Sequence, residues 1–182
     1  MSGRGCVFWL FGLSGAGKST LAGLLARSLR EPSGPAALML DGDRLRAGLC
    51  EGLGFSEADR SENLRRAAHV ARLGIESGLV VIAAFITPLE EQRRAISAII
   101  GAERISFIYV DAALEVCLRR DLKGLYARAA AGIVGQMTGV SARFEPPGSV
   151  DLQLQSDRES PAESAARLTA FARERLAALP GS

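Results

Sequence analysis

The sequence predicts an α/β fold in which a five-stranded, mostly parallel sheet lies between two layers of helices. Three observations carry that expectation. Five short apolar runs recur along the 182 residues, at 6–11, 36–40, 79–85, 105–110 and 150–155, and helical patterns fill most of the intervals. The run Leu79-Val80-Val81-Ile82-Ala83-Ala84-Phe85 is apolar without alternation, as expected of a central strand buried on both faces. The first run leads straight into a glycine loop that opens a helix, the junction from which parallel sheets bind phosphates.

That junction is the most specific element. Gly12-Leu13-Ser14-Gly15-Ala16-Gly17-Lys18-Ser19, followed by Thr20, fits G-x-x-x-x-G-K-[ST]. The strand Cys6-Val7-Phe8-Trp9-Leu10-Phe11 precedes it. Leu21, Leu24, Leu25 and Leu29 follow at helical spacing. Glycines let backbone N–H groups curl around phosphate oxygens, and the helix N-terminus adds partial positive charge. Lys18 is placed to reach β- and γ-phosphates, and the Ser19 hydroxyl to ligate Mg²⁺. The loop predicts that a nucleoside triphosphate is bound.

The second run ends in Asp41-Gly42-Asp43-Arg44-Leu45-Arg46. Two carboxylates at a strand end suit a general base and a metal organiser, although an Asp capping the next helix would account for one of them. Ser56 is a candidate N-cap for the helix carrying Arg60, Asn63 and Arg66 on one face. Guanidinium forks there suit a doubly anionic ligand, whereas Arg65 reads as solvated. Phe55 is left open between a base-stacking ring and a core plug. The third run passes into Ile86-Thr87-Pro88 with no carboxylate, so metal binding falls to Ser19 and the Asp41/Asp43 pair. This points away from switch GTPases and motor ATPases, and towards small-molecule kinases.

Beyond the fourth run, Asp111 leads to a basic patch at Arg119 and Arg120. A polar segment over residues 121–147 then reads as a lid over the nucleotide, with a short helix expected at 127–132. The alternating Val150-Asp151-Leu152-Gln153-Leu154-Gln155 marks a sheet edge. Ser160-Pro161 starts the last helix, whose buried stripe is Leu168, Phe171, Ala172 and Leu176. His69 and Trp9 read as structural.

The bulk numbers bound the rest. Hydrophobic residues at 48% and charged residues at 23% exclude a disordered chain, and one domain over residues 1–182 is expected. A net charge of +2 is too mild to imply nucleic acid or a membrane surface. Cys6, Cys50 and Cys117 have no metal-like spacing, and no run approaches a membrane span, so a cytoplasmic protein is expected.

Taken together, these stretches resemble the adenylylsulfate kinase family of P-loop kinases. The resemblance runs collinearly through the loop, Leu40-Asp41-Gly42-Asp43, Leu53-Gly54-Phe55, Asp59-Arg60-Ser61-Glu62-Asn63-Leu64-Arg65-Arg66, Phe85-Ile86-Thr87-Pro88, Arg120-Asp121-Leu122-Lys123-Gly124-Leu125-Tyr126 and Thr138-Gly139. It implies the three-layer P-loop kinase fold, MgATP as phosphate donor and adenosine 5′-phosphosulfate as acceptor. Lys18, Asp41 and Asp43 would be catalytic, Ser19 and Asp43 would serve the metal, and residues 12–20 with Arg120 would bind ATP. Asp43, Arg46, Phe55, Arg60, Asn63, Ile86, Thr87, Lys123 and Met137 would surround the acceptor, with Phe55 stacking on its adenine. The loop near residues 157–160 would border the ATP base. A sulfate adenylyltransferase is expected as a separate chain, and a homodimer is compatible with the family.

The sequence departs from the family's pattern at three places. Thr87 replaces the usual Ser but keeps the hydroxyl, Ala130 replaces an Arg in the lid, and Met137 replaces the usual Phe. The last two make a kinase for a different alcohol the alternative reading. A nucleotide-binding module with decayed catalysis is a third, against which intact Lys18, Ser19, Asp41 and Asp43 count.

Overall fold

β1 (Val7–Phe11) is the axis of the molecule. In the computed structural model, which describes residues 5–30, 34–120, 138 and 142–179, it lies mid-sheet between β3 (Val80–Ala84) and β4 (Ile105–Asp111). β2 (Ala37–Asp41) and β5 (Leu152–Gln155) form the edges, in the order β2-β3-β1-β4-β5. Every ladder is parallel, so all strands deliver their C-terminal ends to one side. That shared edge is where ligands bind in open sheets of this kind.

Alternation along β1 builds two cores. Phe8 and Leu10 face α1 (Lys18–Ser28) and α6 (Pro161–Ala177), meeting Leu21, Leu25, Leu168 and Ala172. Val7, Trp9 and Phe11 face α3 (Glu57–Glu76) and α4 (Glu90–Ile100), meeting Leu64, Ala71, Ile96 and Ile100. Each such Leu, Ile or Phe contributes roughly 1.5–3 kcal/mol relative to exposure. β1 and β3 are buried along their whole length, matching their unbroken apolar runs.

Edges deviate from the pattern for local reasons. β2 runs one residue beyond the expected end because Asp41 still pairs with Ala84. β5 begins at Leu152 rather than at residue 150. The Asp151 carboxylate accepts the Phe107 N–H at 2.7 Å, so a side chain takes a bond that a strand backbone would have made. α6 starts at the expected place: the Ser160 hydroxyl accepts the Glu163 N–H at 3.2 Å, and the Glu163 carboxylate accepts the Ser160 N–H at 2.8 Å. α2 (Gly42–Arg46) and α5 (Leu114–Arg120) are short helices leaving β2 and β4.

The segment expected as a lid lies largely outside the described residues, as do Lys123, Met137 and Ala130. Of it, Thr138 bridges Ala142, and Phe144 stacks on Tyr109 of β4 with ring centroids 6.1 Å apart. Cys6, Cys50 and Cys117 are buried, free thiols. Among the described residues, no helix is long and apolar enough to cross a membrane.

Candidate active site

The donor side is built from backbone. Gly12, Gly15 and Gly17 all take positive φ, at 144°, 79° and 96°. Gly12 is required twice over, because a Cβ there would stand 2.3 Å from the Val110 carbonyl oxygen. Gly17 caps α1 without a side chain, which leaves the first-turn N–H groups to an anion. The loop is braced by its neighbours. Gly12 N–H donates to Ile86 O at 3.2 Å, and the Ser156 hydroxyl donates to Ala16 O at 2.7 Å.

Charged groups of the loop are turned on it. Lys18 Nζ donates to Leu13 O at 2.6 Å, folding its ammonium over the cradle. The Ser19 hydroxyl donates to Asp41 Oδ2 at 2.6 Å. Asp41 Oδ1 accepts the Asp43 N–H at 3.0 Å, so one carboxylate both caps α2 and meets the loop. The cap that the sequence allows for one of this pair falls to Asp41, which also receives the Ser19 hydroxyl. Arg120, expected on the ATP side, reaches Ser156 O at 2.6 Å and so supports the turn that braces the loop.

Among the residues expected to surround the acceptor, Phe55 is an exposed ring, not a core plug; 44% of its surface is accessible. Two guanidiniums flank it, Arg46 at 4.7 Å and Arg60 at 5.6 Å from the ring centroid. Arg46 is anchored by Gly54 O at 2.7 Å, and Arg60 by Phe55 O at 2.9 Å. Burial, and then repulsion from Arg46, lowers the Arg60 pKa from its ordinary value. Two cations held this close create a demand for an anion. Asn63 lies 4% exposed, and its Oδ1 accepts no hydrogen bond among the described residues.

The Arg60–Asn63–Arg66 row does not act as one. Glu62 pairs with Arg66 at 2.8 Å and with Arg65 at 2.7 Å, and Arg66 also donates to Leu49 O. Hydrogen bonds from Arg65 and then Arg66 pull the Glu62 carboxyl down to about 2. Arg65 is the solvated residue expected.

Thr87 differs from expectation in its orientation. Its side chain is 1% exposed and its hydroxyl accepts the Trp9 indole N–H at 2.9 Å, so it points inward. It is also the one non-glycine at positive φ among the described residues, at 43°. Trp9, Arg93, Glu145 and Ser156 all touch the site's supports and were absent from the sequence reading as site residues. For Arg93 a signal existed: it falls three and seven residues before Ile96 and Ile100, on the buried stripe of α4.

The structure thus joins the glycine loop through Asp41 to the helix α2 that carries Arg46, beside Phe55 and Arg60. Residues 4–155 match the family model described as adenylylsulphate kinase. The chain belongs to the adenylylsulfate kinase family. It is 52% identical over 167 residues to the adenylyl-sulfate kinase of Paraburkholderia xenovorans, covering 92% of each chain. It is 45% identical to that of an Escherichia coli O1:K1 strain, covering 85% of this chain and 77% of the relative. Among solved structures it superimposes on the Mycobacterium tuberculosis APS kinase CysC in complex with AMPPNP and APS, with a TM-score of 0.87. That pair is 42% identical, with 94% and 99% of the two chains covered. As a member of the adenylylsulfate kinase family, the chain is an ATP-dependent kinase on a parallel P-loop scaffold.

Proposed function

We propose that the protein transfers the γ-phosphate of ATP to the 3′-hydroxyl of adenosine 5′-phosphosulfate, giving ADP and 3′-phosphoadenosine 5′-phosphosulfate. One observation carries the reading: Arg46 and Arg60 converge on exposed Phe55, and Arg46 ends the short helix α2 whose cap, Asp41, meets the phosphate loop. Phe55 offers a stacking face for adenine and the guanidiniums offer forks for the phosphosulfate. Asn63 Oδ1, buried and lacking a donor among the described residues, would accept a hydroxyl or amino hydrogen of the acceptor.

The reaction needs positioning and charge balance more than covalent help. Lys18 would leave Leu13 O for the β- and γ-phosphate oxygens and follow the charge that develops on them. Asp43 would accept the 3′-hydroxyl proton as the oxygen attacks in line. The buried Thr87 hydroxyl, already bonded to Trp9, takes no part in the transfer. Mg²⁺ fits the donor set, because Ser19 Oγ and Asp41 Oδ2 are hard oxygen ligands 2.6 Å apart. Magnesium is ordinarily held by one or two carboxylates together with substrate phosphates. Ser19, with Asp41 or Asp43, would hold the ion, which when bound offsets phosphate charge.

A coupled ADP-release assay with adenosine 5′-phosphosulfate tests the reading. Saturable turnover, exceeding that with adenosine 5′-monophosphate or small alcohols, is expected. Folded protein that hydrolyses or binds ATP yet ignores this acceptor would defeat it.

A further inference from the structure

We propose that Arg93 is a positioning residue for the acceptor, acting by holding Thr87 in the left-handed conformation that fixes the Ile86-Thr87 peptide at the end of β3. The inference deepens the kinase reading above and rests on it for the identity of the acceptor.

The starting point is strain. A β-branched residue at φ 43° is disfavoured by its own Cβ substituents, and it persists only where its surroundings over-determine it. Thr87 is gripped at both ends. Trp9 Nε1–H donates to its hydroxyl at 2.9 Å, and Arg93 Nη1–H donates to its carbonyl oxygen at 3.1 Å.

Arg93 itself is 4% exposed, an unusual place for a guanidinium. Its Nη2 donates to Glu145 O at 3.0 Å, its Nε donates to the Glu90 carboxylate at 3.0 Å, and its Cζ lies 5.0 Å from the Phe11 ring centroid. For simple core filling an apolar side chain would do as well. A planar fork joining Thr87 O to Glu145 O serves direction, not volume. Glu145 completes the clamp, since its N–H donates to Pro88 O at 2.8 Å and its carboxylate accepts the Glu90 N–H at 2.7 Å.

The direction matters because of what the peptide touches. Ile86 O accepts the Gly12 N–H, so the clamped turn abuts the first glycine of the donor loop. The loop has an independent brace at Ala16, whose carbonyl accepts the Ser156 hydroxyl, whereas the described hydrogen bonds to Thr87 come from Trp9 and Arg93 alone. Loosening Arg93 should therefore disturb the acceptor more than ATP.

The test is the steady-state kinetics of Arg93→Lys, which keeps the charge but cannot bond both carbonyls with a rigid fork. The KM for adenosine 5′-phosphosulfate should rise about tenfold while that for ATP stays within about threefold. In a Thr87→Gly background, where positive φ carries no penalty, Arg93→Lys should raise the acceptor KM less than about threefold. Equal rises for both substrates, or an undiminished effect in the glycine background, would overturn the proposal. If Arg93→Lys does not fold, Trp9→Phe tests the other grip and should give the same split between the two KM values. Trp9 is the only tryptophan, so its emission in the free enzyme reports on this contact. Arg93→Lys should shift that emission. Absence of turnover by the wild type would defeat the acceptor assignment, whereas an unshifted Trp9 emission would defeat the positioning role.

Discussion

The phosphate loop and the proposed acceptor half of this site are built to hold an anion by opposite means. The phosphate loop does it with backbone: three glycines at positive φ, an uncapped helix start and carbonyls that park Lys18 and brace Ser156. The acceptor side does it with side chains: Arg46 and Arg60 around an exposed Phe55, with buried Asn63 beside Arg60 on α3. Backbone recognition is indifferent to what the phosphate is attached to. Side-chain recognition sets which alcohol is chosen, and small substitutions can retune it. On the proposed assignment, the difference teaches that donor chemistry is secured by fold and acceptor choice by a handful of residues.

If that division is right, the largest effects come from the donor side and act on turnover. Lys18→Ala should lower kcat by about 10²–10³-fold, because one preorganised donor to developing charge is lost. Its melting temperature should not fall, since a largely buried cation is removed. A variant that merely unfolds would mean that Lys18 is structural. Asp41→Asn comes next. Asparagine still caps α2, but it no longer presents an anion to Ser19. Titrating the rate against Mg²⁺ should show the half-saturating concentration raised by about 10–100-fold. An unchanged Mg²⁺ dependence would place the metal elsewhere.

Arg60→Lys tests the acceptor half and should be weaker. An ammonium keeps the charge and loses the fork, so the KM for adenosine 5′-phosphosulfate should rise about fivefold to tenfold. The KM for ATP should stay put. Parallel rises in both would erase the distinction between the halves.

The same contrast explains what could be read from the sequence. The donor loop was legible because its conformation demands glycines at fixed spacing, and the strands because β1 and β3 are buried without interruption. The sheet edges were legible only to within one or two residues, since Asp151 substitutes a carboxylate for a ladder bond. The exposed character of Phe55 could not be read at all, because a ring between two turns has no periodicity to declare it. Thr87 was noticed for its hydroxyl, while its importance lies in a backbone angle that its letter does not announce. The contact between Arg93 and Glu145 was hidden for a further reason: 52 residues separate them, and it exists only after folding.

The smallest expected effect sits beside the proposed acceptor half. Glu62 lies on α3 between Arg60 and Asn63, and it neutralises Arg65 and Arg66. Its carboxyl is lowered from an ordinary 4.5 to about 2 in the folded protein. A depressed carboxylate contributes stability above its unfolded value and loses it as pH falls towards the folded one. The melting temperature of Glu62→Gln should therefore lie slightly below wild type at pH 7. The gap should close as pH is lowered from about 4.5 to about 2. It should be modest throughout, because the pair is exposed and screened. Releasing Arg65 and Arg66 should move the acceptor KM by less than about twofold, and added salt should abolish the change. A larger shift would mean that the two arginines reach the acceptor after all, and that its recognition extends beyond Arg46, Phe55, Arg60 and Asn63.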